Sequence, residues 1–253
     1  MLEEVRPART ASPQRSTQAT LLGTRLAASP FLSSEERHAL ESAMLPPRSI
    51  AANTDLSRQG ELAGHVEILI EGWGCRYKTT RDGHRQIVAL LIPGDPANLD
   101  SFLFTRLDYA VRTLTAAKVL TIPRDRFLAL AAQYSGIAKT LAWLAMAENA
   151  ILSEWALCLG RLSARQRLAH LLCEISARLG CANEVESSFE LPLTQEQIAD
   201  VLGLTAVHVN RTIQHLRAEG LIEAKGRAMT ITDMNALRRI AEFDPAYLYD
   251  RRA

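Results

Sequence analysis

The first twenty positions carry almost no apolar residues; Pro7 and Pro13 sit among Ser, Thr and the arginines Arg6, Arg9 and Arg15. A stretch that buries so little surface cannot offset its ordering entropy, so residues 1–20 read as a flexible tail. Amphipathic order begins at Ser33-Ser34-Glu35-Glu36. Ser33 and Glu36 have capping-box spacing, and Leu40, Met44 and Leu45 supply the apolar side of a helix that Pro46-Pro47 ends. From residue 50 to about 123 the period shortens. Val66, Ile68 and Ile70 alternate, and Trp73, Cys75 and Tyr77 alternate against Arg76 and Lys78. Turn signals fall at Gly60, Gly72, Asp82-Gly83 and Gly94-Asp95, and Asp-Gly ahead of residues 86–92 marks a hairpin. Residues 111–122 close the region as one strand or a pair. Several short strands with regular turns predict a small β-sandwich or barrel.

The pattern turns helical over residues 124–160. Ile137, Leu141, Leu144, Glu148, Ile151, Trp155 and Cys158 recur at spacings of four and three, the repeat of a coiled-coil seam. Such a stripe serves either packing on the helix's own barrel or pairing with a second copy. Its narrowness, and the small or polar residues beside it, favour a dimer. Ser163 and Gln166 form a second capping box, opening a helix to about residue 179 that Gly180 ends. The expected organisation is a tail (1–20), a β-rich domain (21–134), a dimerisation helix (135–162) and a helical C-terminal domain (163–253).

Within that last domain, Thr194 is an N-cap with Gln197 three residues on, and Ile198, Ala199, Val201 and Leu202 back a short helix. Gly203 falls where a tight turn needs positive φ, and Thr205 caps the next helix. There Val209, Ile213 and Leu216 repeat at core spacing while Thr205, His208, Asn210, Arg211, Gln214, His215 and Arg217 form the polar set. Two short helices joined at a glycine describe a helix-turn-helix, whose second helix enters the DNA major groove. A groove-reading helix needs a rigid apolar back and a front of donors and acceptors. Arg211 suits guanine O6 and N7, and Asn210 or Gln214 suits adenine, each good pair giving roughly 1–3 kcal/mol of discrimination. Thr194, Gln195 and Thr205, at helix N-termini, suit phosphate contacts. Leu221-Ile222 and residues 229–231 read as two short strands around Lys225-Gly226-Arg227, a wing whose cations meet the DNA backbone.

Composition changes this picture little. The 253 residues are 47% hydrophobic and 23% charged, as in ordinary globular proteins. No apolar run nears the roughly 20 residues needed to span a bilayer. The N-terminus lacks an apolar signal segment, so a cytoplasmic address with no membrane partner is expected. A net charge of +1 hides any local basic surface and decides nothing about nucleic acid. Cys75, Cys158, Cys173 and Cys181 contain no CxxC pair and read as small buried residues. Cys158 on the helical stripe also raises a thiol crosslink between two copies. His38, His65, His84, His170, His208 and His215 lie far apart and form no H-x-H pair. No metal site and no cofactor are therefore expected. With no nucleophile motif or phosphate loop either, a metal-dependent barrel enzyme is disfavoured and no enzyme activity is expected.

Together these motifs resemble the CRP/FNR family of bacterial regulators over residues 25–240. The resemblance rests on Gly60-Glu61, Gly72, Asp82-Gly83-His84-Arg85-Gln86, Leu91-Ile92-Pro93-Gly94-Asp95, the long helix, Val209-Asn210-Arg211 and Glu219-Gly220-Leu221-Ile222. It implies an α+β chain: an N-terminal double-stranded β-helix (jelly-roll) sensor, a dimer through the long helix, and a C-terminal winged helix-turn-helix on a palindromic site. Double-stranded DNA, a second copy and RNA polymerase are the implied partners. Family members read DNA at the positions held here by Ala206, Val207, Asn210 and Arg211. Arg211 matches the usual arginine, whereas Val207 replaces the usual glutamate and Asn210 a serine or glycine, so the operator should differ from the familiar ones. His208 has either a reading or a purely surface role. The family's cyclic-nucleotide cassette pairs Gly-Glu with Arg-Ser or Arg-Thr; this chain has Asn98-Leu99 and Leu107-Asp108 there. That departure argues against cAMP or cGMP. Iron–sulfur members need clustered N-terminal cysteines, absent here, and haem would have to use His65 or His84. The effector stays unassigned.

Overall fold

The computed structural model describes residues 24–181 and 186–249, so the tail read at 1–20 lies outside the described residues. Helix α1 (Ser34–Ala43) starts at the expected box: the Ser33 hydroxyl accepts the Glu36 amide and the Glu36 carboxylate accepts that of Ser33. Leu40 is fully buried beneath it. Leu45, expected on this helix, instead opens strand β1 (Leu45–Ile50) and is exposed. Pro46 and Pro47 fit there because β1 is an edge strand whose pairing with β7 is irregular between Leu45 and Arg48.

Six further strands complete the roll: β2 (Asp55–Ser57), β3 (His65–Glu71), β4 (Gly74–Thr79), β5 (Arg85–Leu91), β6 (Ala110–Thr113) and β7 (Ala117–Pro123). They form two antiparallel sheets, β1-β7-β3 and β2-β6-β4-β5, closed over Leu69, Leu91, Val111 and Val119. The β4–β5 hairpin turns at Gly83 with φ +84°. Gly72 is required more strictly, since at φ +84° an added Cβ would lie 2.3 Å from the Ala116 carbonyl oxygen. Strand β3 departs from the expected alternation: Val66, Glu67, Ile68 and Leu69 are all buried. Its second face is covered by helices, so both sides of the strand lie in core.

Helix α2 (Arg124–Gln133) breaks at Tyr134 and α3 (Ser135–Arg161) begins at once. Gly136 lets α3 approach α1: its amide donates to Glu36 Oε1 at 2.7 Å, and a Cβ would stand 2.3 Å from Glu36 Oε2. The apolar stripe read as a dimer seam faces inward instead. Ile137, Leu141 and Leu144 are buried with Val66, Ile68 and Phe127 of the same protomer. Trp155 is buried in the core of the C-terminal domain with Ile151 packed against that core, Cys158 is buried beside His170 and Leu171, and Glu148 is paired with Arg76. Ile137, Leu141 and Leu144, with almost no exposed surface, cannot meet a second copy, so this part of the stripe is an intramolecular core, while Glu148 and Ile151 are half-buried.

The chain then folds back through α4 (Ala164–Arg178), whose capping box joins Ser163 and Gln166. Strand β8 (Ser187–Glu190), helices α5 (Gln195–Leu202) and α6 (Ala206–Ala218), strands β9 (Ile222–Lys225) and β10 (Ala228–Ile231) and helix α7 (Met234–Ala241) follow. The wing has three strands, in the order β8-β10-β9, rather than the two expected. No helix among the described residues is long and apolar enough to cross a membrane.

Candidate nucleic-acid interface

Helices α5 and α6 meet at Gly203, which has φ +63° and ψ +41°, the left-handed conformation that closes a tight interhelical turn. Thr194 caps α5 by accepting the Gln197 amide at 3.1 Å, and Thr205 caps α6 by accepting that of His208 at 3.2 Å. Both helices are thereby fixed in direction at the end where they would meet a nucleic acid. Val209 and Leu216 are fully buried and Thr212 nearly so. The opposite side of α6 carries Val207, His208, Asn210, Arg211, Gln214 and His215, all exposed.

Five of the sequence-selected residues, Gln195, Val207, Asn210, Arg211 and Gln214, line one concave patch, with Ala206 and His215. Val207 is 71% exposed, an apolar side chain held in the open at the front of the helix. Lys225 and Arg227 flank Gly226 at the wing tip, exposed and apart from that patch. Arg227 lies 3.9 Å from Glu190, too loosely paired to be withheld from a phosphate. Thr194 and Thr205 spend their hydroxyls on capping. His215 is the member of the patch that the sequence pattern did not single out as a reader; its spacing of four from Arg211 was the available signal.

The C-terminal domain is docked on the roll. Arg85 donates to Asp200 at 2.7 Å and Gln86 to the Val201 carbonyl at 3.1 Å, so the tip of β5 holds the back of α5. Arg178 of α4 reaches Asp95 at 2.6 Å, the Leu90 carbonyl at 2.9 Å and Glu174 at 3.2 Å. Burial works against its charge, but Asp95 and Glu174 hold the guanidinium above its ordinary pKa. No local sequence signal links residues 85 and 200.

A cavity of about 720 Å³ opens between β5 and α3, lined mainly by apolar side chains such as Val88, Leu91, Leu99, Tyr109 and Leu141. Arg76 crosses it. Its guanidinium contacts both Glu148 carboxylate oxygens at 2.8 and 2.9 Å, the carbonyls of Ala97 and Pro96, and the Tyr109 ring at 5.3 Å. The two departures from the nucleotide cassette have structural work elsewhere. Asn98 accepts the Glu67 amide and donates to the His65 carbonyl; Leu107 is buried; Asp108 pairs with Lys78 at 2.7 Å. His65 sits 3.4 Å from Glu67 and His84 is exposed at the hairpin turn, and neither lines the cavity.

Burial pushes the thiols of Cys75, Cys158 and Cys173 up to about 12. Cys158 is buried beside His170 of α4 rather than facing outward, which argues against its symmetric pairing with a second copy.

Comparison with known proteins agrees with this architecture. Residues 47–134 match a cyclic nucleotide-binding domain and residues 166–240 a Crp-like helix-turn-helix domain. The transcriptional activator protein FnrL of Cereibacter sphaeroides is 31% identical over 195 residues, covering 75% of this chain and 78% of that protein. The nitrogen fixation regulation protein FixK of Azorhizobium caulinodans is 28% identical over 201 residues, covering 79% and 80%. The structure of FixK2 from Bradyrhizobium japonicum superposes with a TM-score of 0.71 at 26% identity, covering 77% of this chain and 96% of that one. With roll, long helix and winged helix-turn-helix in the same order, the chain belongs to the CRP/FNR family of DNA-binding transcription regulators.

Proposed function

We propose that the chain acts as a homodimer on a two-fold-symmetric operator, with Arg211 as the principal base reader. The observation that carries this reading is the division of α6, with Val209 and Leu216 fully buried and Asn210, Arg211 and Gln214 exposed together. Arg211 pairs with guanine, Asn210 and Gln214 with adenine, and Val207 offers an apolar contact of the kind that suits a thymine methyl. Gln195, Lys225 and Arg227, with Thr194 and Thr205 at the helix starts, meet phosphates, and His208 lies at the patch margin.

The pairing surface is the stripe displaced by one residue from the buried one. Ala138, Ala142, Ala145, Asn149, Leu152 and Ala156 are exposed at spacings of four and three. Small residues permit close helix approach, and Asn149 occupies an a-type position, where one polar residue fixes register. The effector is a molecule other than a cyclic nucleotide, because the cassette positions offer no free phosphate donor. RNA polymerase is the further protein partner.

A footprint and gel-shift with operators selected from random DNA test this reading. Arg211→Ala should lose sequence-specific binding while remaining a dimer in sedimentation. Specific binding retained by that variant would remove Arg211 as the reader.

A further inference from the structure

The turn at Ser163 folds α4 back along the end of α3 and brings together three side chains that DNA reading does not use. Glu154 and Cys158 are four residues apart on α3, hence on one face, and His170 approaches from α4. Their ligand atoms all lie within 4.8 Å of one another, and they are the one grouping of three metal-capable side chains found among the described residues. His170 Nε2 stands 3.5 Å from Glu154 Oε1.

His170 is the unexplained member. Only 3% of the residue is exposed, and Nε2 makes no regular hydrogen bond, only the loose 3.5 Å approach to Glu154. Leaving such a group unsatisfied costs about 1–3 kcal/mol. Phe243 meets the ring edge-on at 5.2 Å and Tyr247 stacks at 5.9 Å, so its direction is fixed by packing. The nearby Glu174 is already engaged, accepting from Trp155 Nε1 at 2.8 Å and from the Tyr247 hydroxyl at 2.9 Å. It does not compete for the imidazole.

We infer that Glu154, Cys158 and His170 form a site for a divalent metal ion of the zinc class. A thiolate, an imidazole and a carboxylate are the donors such borderline-soft ions take. With metal–N and metal–O bonds of about 2.0–2.2 Å, two corners of a tetrahedron stand about 3.3–3.6 Å apart. The 3.5 Å between His170 and Glu154 already has that spacing. A cavity of about 20 Å³ bordered by Cys158, His170, Trp155 and Arg167 has room for one water as the fourth ligand. Binding forms three bonds from the ion to the protein and one to water, releases the Cys158 thiol proton to solvent and involves no redox change. The site bridges the long helix and the first helix of the DNA-binding domain, so an ion there ties the two together.

The test uses full-length, reduced, metal-stripped protein titrated with Co²⁺ alone. One Co²⁺ per chain should bind, with a sulfur-to-cobalt charge-transfer band and intense tetrahedral visible bands that added Zn²⁺ bleaches. Cys158→Ser should lose the charge-transfer band, whereas Cys181→Ser should keep it. Glu154→Gln, a change at a half-exposed position that leaves the packed core alone, should weaken Co²⁺ binding at least about tenfold. If Cys158→Ser fails the check of fold by circular dichroism, Glu154→Gln decides. Absence of these bands in the wild type, or bands and affinity unaltered by Glu154→Gln, would overturn the site.

Discussion

The long helix α3 and the recognition helix α6 each carry two faces, yet only one of them can be oriented from its residues. On α6 the faces differ in kind: Val209 and Leu216 behind, Asn210, Arg211 and Gln214 in front. Burying the front would strand several polar groups at about 1–3 kcal/mol each, so only one orientation is affordable. On α3 the stripe from Ile137 to Cys158 and its neighbour from Ala138 to Ala156 are both largely apolar or small, and they differ by one position. Rotating the helix by a single residue exchanges them. A chemical contrast between faces orients a helix; a hydrophobic repeat alone shows only that something is buried.

The contrast can be broken in four places. Leu152→Glu attacks the outer stripe of α3. Burying a leucine contributes about 1.5–3 kcal/mol, and two copies per dimer make the loss about 3–6 kcal/mol in dimerisation. Sedimentation should show monomers with unchanged circular dichroism. A variant that stays dimeric would move the seam away from this stripe. Leu144→Ala attacks the inner stripe, where the residue is wholly buried. It should lower unfolding free energy by about 2–5 kcal/mol in denaturant melts, with the dimer constant little altered once the protein is folded. Dissociation without a stability loss would reverse the assignment of the two faces.

The same pair of tests applies to α6 with smaller effects. Arg211→Ala should cost about 1–3 kcal/mol, roughly 5- to 150-fold, in specific operator affinity, and nothing in thermal stability. Thr205→Ala removes the cap that accepts the His208 amide and should lower stability by about 0.5–2 kcal/mol. Operator binding measured well below the melting transition should weaken only slightly, because Thr205 gives one phosphate contact among several. An Arg211 variant that melts early would mean that the front of α6 has a packing role the exposed patch does not reveal.

Much of the chain was legible where local chemistry had only one outlet. The capping boxes at Ser33, Ser163 and Thr194 and the turn at Gly203 all form at the expected positions. Each is a short-range arrangement in which a side chain satisfies orphan helix amides regardless of what surrounds it. Strand β8 was not legible: Ser187-Ser188-Phe189-Glu190 has one large apolar residue, and its pairing with β10 comes from forty residues away. Strand β3 misled because its outward positions are covered by helical residues from distant parts of the chain, Leu40, Leu99 and Phe127 among them. Arg85 with Asp200, and His170 beside Cys158, are likewise products of the docked domains.

Residue types alone therefore determined that this chain has a β-rich domain of short strands, a long helix and a winged helix-turn-helix, and which side of α6 faces outward. Those features follow from periodicity, capping and the cost of burying polar groups, all of which act within a few residues. Which stripe of α3 is spent inside the protomer, what Arg76 and Arg85 hold, and what surrounds His170 were decided only by the tertiary structure. The reason is physical: where two faces have similar chemistry, the choice between them belongs to whichever element packs against them, and that partner lies far off in the chain.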